Sequence, residues 1–155
     1  MVTFFVKFVL PNLNNMRIFF MFLIVSFLGS LFYLGIGCLV FDVLLGNFSN
    51  EHTTHLTGFK KTTDYSLAFL YLSCLAYAVL ISYITSLTIN SKTTFQAFLQ
   101  SALIGLLIAC MTDFYWYASS YFYSDLTAVI VDCAGATLTV GLLGLFSHIM
   151  LKKIK

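Results

Sequence analysis

Three carboxylates lie within or at the ends of long apolar runs: Asp42, Asp113 and Asp132. Asp113 is the most demanding of them. It closes a stretch in which Ser101, Gly105, Ala109 and Asp113 recur at steps of four, so a helix there carries three small residues and an acid on one face. An Asp at the centre of a membrane helix costs roughly 2.5–3.5 kcal/mol, and somewhat less near an interface. Such a group calls for a partner, a cavity or a proton. No Lys or Arg stands in the same layer of the apolar runs, so acids clustered there would repel one another and favour a bound proton or cation. Tyr33, Tyr77 and Tyr117 are candidate hydrogen-bond donors, with Tyr117 one turn beyond Asp113. The candidate ligand- or ion-binding set is Asp113, Asp132, Asp42, Tyr117, Tyr33 and His55.

The elements that must position these groups follow from composition. Of the 155 residues, 60% are hydrophobic and only 9% charged, and the mean hydropathy is +0.95. A soluble domain of this size has too little interior for that much apolar surface, so the surrounding medium is lipid. The reading is an all-α integral membrane protein, one domain over residues 1–155. It begins with an interfacial lead-in at 1–15, broken by Pro11, and spans the bilayer at about 18–45, 65–87, 95–118 and 126–151. Short connections make successive helices antiparallel neighbours in a four-helix bundle. The first connection, Gly46 to about Thr63, is the one substantial polar stretch. It carries a formal glycosylation sequon, Asn47-Phe48-Ser49, and the pair His52 and His55. Nothing else in the loop completes a zinc pattern, so a solvated loop is expected there, with no metal and no cofactor.

Six basic residues (Lys7, Arg17, Lys92, Lys152, Lys153, Lys155) fall on one side of this layout and two (Lys60, Lys61) on the other, which places both termini in the cytoplasm. Tyr115, Trp116, Tyr117, Tyr121 and Tyr123 then form an aromatic girdle at the outer surface. Asp42 is four residues before Gly46, Asp113 six before Ser119 and Asp132 seven after Asp125. At the helical rise these depths are about 6, 9 and 10 Å, one layer near the outer leaflet. The three acids meet if the first, third and fourth helices are mutual neighbours.

Simpler readings stand beside this one. Asp42 is near a helix end and can face water, and Asp132 lies in the second turn of its helix, where the macrodipole favours an acid. Cys38, Cys74, Cys110 and Cys133, one per apolar run, read as small buried hydrophobes rather than a disulfide framework, although Cys38 and Cys110 lie a turn from acids. His148, near the cytoplasmic end, reads as an interfacial polar residue.

The segments Phe41-Asp42-Val43-Leu44-Leu45-Gly46, His55, Gly105 to Asp113 at a spacing of eight, and Val131-Asp132-Cys133-Ala134-Gly135 together resemble the small four-helix membrane family called domain of unknown function 2177. The resemblance runs from about residue 31 onward. It implies that the three acids are a shared feature of this four-helix design, and it brings no established activity.

Three function classes follow. The foremost is a polytopic membrane protein whose acid-lined polar site near the outer leaflet binds or passes a cation, a proton or a small polar solute. The second is a structural or accessory subunit of a larger membrane assembly, or a homo-oligomer, in which the acids meet basic residues of another chain. A membrane enzyme using paired carboxylates comes third, because no nucleophile–base pair, HExxH, phosphate loop or haem-binding pair is present. The low net charge of +2, without a basic run, gives no reason to expect nucleic acid as a partner.

Overall fold

The computed structural model describes residues 13–53 and 66–154, with side chains described for 19–53 and 66–153. Helix α1 (Leu13–Gly37) runs without a break into a π-helical segment, Cys38–Leu44. A short helix α2 (Gly46–His52) follows, then α3 (Leu67–Thr88), α4 (Thr94–Ser119) and α5 (Leu126–Ile154). Four stretches are long and apolar enough to cross a membrane: Phe19–Leu44, Leu67–Thr88, Thr94–Ser119 and Leu126–Lys153. The lead-in falls largely outside the described residues, and α1 begins within its last turn.

Local chemistry sets the helix starts. At α4 the Gln96 amide donates to the Thr93 hydroxyl at 3.3 Å while the Thr93 amide donates to the Gln96 side chain at 2.9 Å, a reciprocal capping box. At α5 the carboxylate of Asp125 accepts from the Ala128 amide at 2.9 Å. The polar connection expected from Gly46 onward is helical over its first seven residues, because Phe48 finds an apolar seat on the bundle.

Helix α5 is the hub, touching α1, α3 and α4. Helix α4 packs chiefly on α5, α1 pairs with α3, and α1 and α4 are not in contact among the described residues. Small residues let α4 and α5 approach closely. A Cβ added at Gly105 would stand 2.6 Å from Val140 Cβ and 3.1 Å from the Ala136 carbonyl; one at Gly141 would stand 2.7 Å from the Phe98 ring. Gly144 lies directly against Ser101. The buried face of α4 is Ala97, Ser101, Ala102, Gly105, Ala109 and Asp113, which includes the step-of-four series of the sequence. On the other side of α5, Phe146 stacks on Phe32 of α1 at a centroid distance of 4.6 Å, and Gly135 receives Phe41. Large apolar side chains such as Phe69, Leu103, Leu107 and Met111 point outward, as lipid-facing residues do.

Gly105→Ala therefore forces α4 and α5 apart and should destabilise the bundle by about 1–3 kcal/mol, read as a lower midpoint of thermal unfolding in detergent micelles. Gly35 has nothing within 4 Å of where its Cβ would be, so Gly35→Ala should leave the midpoint where it is or raise it slightly.

Candidate functional site

The close approach of α4 and α5 delivers two acids to each other. Asp113, at the end of the small face, is 7% exposed. Its Oδ2 accepts from the Cys133 thiol at 3.5 Å. The Thr112 hydroxyl lies 3.2 Å from Oδ1, but has the carbonyls of Ile108 and Ala109 nearer, at 3.0 and 3.1 Å. Asp132, half-buried one residue before Cys133, accepts from the Tyr123 hydroxyl at 2.9 Å. The two carboxyl groups are close enough to interact directly, and Tyr123 interacts with both. Cys110 stands beside Cys133, and the phenol of Tyr77 on α3 lies within electrostatic range of Asp113.

A lid of short elements covers this end of the bundle. Phe48 of α2 packs on the cluster of Ala109, Tyr123, Ala128, Val129 and Cys133. Helix α2 is held down by the Ser124 amide and hydroxyl, which donate to the His52 carbonyl at 2.9 and 2.8 Å, and by an antiparallel bridge between Thr53 and Tyr123. The His52 ring stacks on Phe48 at 4.1 Å, with its Nε2 3.9 Å from Asp125. That exposed contact is the one ion pair among the described residues, so neither Asp113 nor Asp132 has a basic partner there.

The placement of the sequence candidates differs from the three-acid layer in instructive ways. Asp113 and Asp132 meet. Asp42 does not join them: it is exposed, and the group it interacts with is the Cys38 thiol one turn earlier. Two causes act. Among the described residues its helix does not touch α4, and the wider turn of the π-helical segment rotates everything after Gly37 away from the face that α-helical counting assigns. Tyr117 is 41% exposed on the outer surface of α4 and offers nothing to Asp113. Tyr33 lies one layer deeper, its ring 5.4 Å from that of Tyr77 and its phenol reaching the Thr139 side chain. His55 falls outside the described residues.

Tyr123 and Cys133 are the site residues that sequence reasoning missed. Tyr123 is not part of the girdle. It is 8% exposed and turned inward, whereas Tyr121 is 85% exposed. The available signal was its place three residues before α5, within side-chain reach of the first turns, where Asp132 lies. Cys133 is buried as expected, yet it works as a hydrogen-bond donor. His148 is a second correction. It is fully buried rather than interfacial, one residue beyond Ser147, which meets Gly29 of α1 and Ser82 of α3.

No set of three or more His, Cys, Asp or Glu side chains is arranged to hold a metal among the described residues. With four helices long and apolar enough to cross a bilayer, the fold is that of a small multi-pass membrane protein. No family model, no curated protein and no solved structure matches the chain.

Burial first, then the neighbouring carboxyl groups of Asp132 and Asp113, push the ionisation of Tyr123 well above the usual tyrosine range of about 10. A folded-state pKa raised above the unfolded value means stability present below pH of about 10 and lost as pH rises further, by up to about 1.4 kcal/mol per pH unit. Thermal midpoints in micelles between neutral and strongly alkaline pH should fall less steeply for Tyr123→Phe than for the wild type. At neutral pH the same variant should lose about 1–3 kcal/mol, since it leaves Asp132 without its donor.

Proposed function

We propose that the chain is a four-span antiparallel bundle, both termini on the cytoplasmic side, whose acid pair forms a polar site that binds or passes a cation or proton. A small polar solute is the remaining ligand class that the sequence supports. The observation that carries this is the buried Asp113 against Asp132 with donors from Tyr123 and Cys133 and no basic partner among the described residues. Two carboxyl groups so placed in a lipid-surrounded bundle are balanced by a shared proton or a bound cation. The contact series Asp113–Cys133, Gly105–Val140 and Ser101–Gly144 supports the antiparallel arrangement of α4 and α5. The resemblance to domain of unknown function 2177 is kept with this reading, as a family in which the paired acids of the third and fourth helices would recur.

A different face favours a second reading as a subunit of a larger assembly or homo-oligomer. Asp42 is exposed on the first span, and Gly35 on the same span has nothing within 4 Å of where its Cβ would be. A helix of a neighbouring chain carrying a basic residue would find an open glycine and a counter-charge on that span.

Titration of alkali and divalent cations into the full chain in nanodiscs, followed by calorimetry and by the carboxyl infrared bands, separates these. Asp113→Asn and Asp132→Asn should each weaken binding at least about tenfold, about 1.4 kcal/mol, with Asp42→Asn leaving it unchanged. Unaltered binding and unaltered carboxyl bands in both pair variants would contradict the acid-site reading. Assembly lost in Asp42→Asn alone would support the subunit reading.

A further inference from the structure

The opposite end of the bundle holds a polar layer that the acid pair does not explain. His148 on α5 is fully buried, and among the described residues neither ring nitrogen has a hydrogen-bond partner. Ser26 on α1 is 1% exposed, and its hydroxyl is likewise unpartnered. The two share a level: Ser26 is one turn from Gly29, whose open face meets Leu143 and the hydroxyl of Ser147, next to His148. Around them the Ser82 and Ser147 hydroxyls are 3.2 Å apart, and Thr85 is 2% exposed. A neutral imidazole has one donor and one acceptor, and in a packed core both call for partners. A histidine that is merely structural would be hydrogen-bonded within the core.

Between this layer and the acids lies an apolar one. Ala78, Ile81, Val140 and Leu143 are at most 1% exposed and pack together, with Tyr33 and Tyr77 against them from the acid side. Along the bundle the order is therefore the acid pair with Tyr123 and Cys133, then Tyr77, Tyr33 and Thr139, then the Ile81–Leu143 layer, then Ser82, Ser147, His148 and Ser26. Among the described residues, the charged group that acts on the His148 ring is Lys152 on its own helix. The buried polar groups that α1, α3 and α4 contribute at this end are the hydroxyls of Ser26, Ser30, Ser82, Thr85 and Ser101, none of which carries charge.

We propose that His148, with Ser26 of α1 at about its level, is the proton-carrying group of a second polar site, and that protons pass between it and the acid pair through the Ile81–Leu143 layer. The inference rests on the acid pair being a proton or cation site, and adds a route and a ligand class. The step is balanced. One nitrogen takes a proton from the O–H of a water or carboxyl group as the other gives its N–H proton to a water or carboxylate oxygen. One N–H and one O–H bond form while one of each breaks, and a ring flip or the return transfer restores the starting tautomer. A single imidazole among hydroxyls has too few strong donors for a transition metal, so the proton is the ligand that fits. The apolar layer keeps the two polar sites apart until water bridges it.

The test uses the full chain in vesicles that enclose a pH-sensitive dye, with a valinomycin-set potassium diffusion potential driving protons inward. Wild type should acidify the lumen faster than protein-free vesicles do. His148→Phe should abolish that excess, and His148→Gln should do the same while keeping hydrogen-bonding capacity and the wild-type circular dichroism. Nitrogen-15 spectra of labelled histidine in bilayers should show the His148 ring exchanging protons with water. No excess uptake by wild type, or uptake unchanged in both His148 variants, would overturn the proposal. Cation binding at the acid pair that survives alongside zero proton uptake sinks the route and leaves the acid site. Uptake that is lost in His148→Gln yet persists in Asp113→Asn with Asp132→Asn overturns the linked route through the failure of the acid pair.

Discussion

Everything in this bundle depends on how closely α4 and α5 approach. Within lipid there is no hydrophobic gain in pressing one apolar helix on another, so association rests on packing and on the few polar contacts that proximity permits. Gly105 against Val140 and Gly144 against Ser101 bring the two backbones together, and no side chain larger than hydrogen fits at either glycine without a shift. That contact, not any attraction between the acids, is what sets Asp113 beside Asp132 and Cys133. Two carboxyl groups without a base would be an unfavourable pair on their own. The small-residue seam supplies the energy that holds them there.

The lid is a second consequence of the same geometry. A tight connection between α4 and α5 turns Tyr123 inward, where one hydroxyl serves Asp132 and the ring helps close the end of the bundle. Helix α2 adds Phe48 to the same cluster and is clamped through His52 and Ser124. Burial of the pair thus comes from α2 and from the turn joining α4 and α5, while its polarity comes from α4, α5 and that same turn.

Much of this was legible in the residue pattern. Four apolar runs of spanning length and the face Ser101–Gly105–Ala109–Asp113 are both present as read. The matching level of Asp113 and Asp132 was legible too, because helical rise is a one-dimensional count and the two do meet. The azimuth of each acid was not. It depends on which helices touch and on local winding, and the sequence carries no direct mark of either the lack of α1–α4 contact among the described residues or the π-helical turn that sends Asp42 outward. Tyr123 and His148 were misplaced for a related reason. Both sit near helix ends, where polar residues usually meet the interface, but here the lid encloses Tyr123, and His148 follows Ser147, which meets α1 and α3.

The most direct measurement is the distance between the two carboxyl groups in a bilayer. Full-length chain labelled with carbon-13 at the aspartate side-chain carboxyls and reconstituted in lipid should give a direct dipolar cross-peak between Asp113 and Asp132 in solid-state spectra. That peak should vanish in Asp132→Asn, with no cross-peak from Asp42 to either. Absence of the Asp113–Asp132 peak, with each carboxyl instead reporting separate lipid or water contacts, would contradict the account.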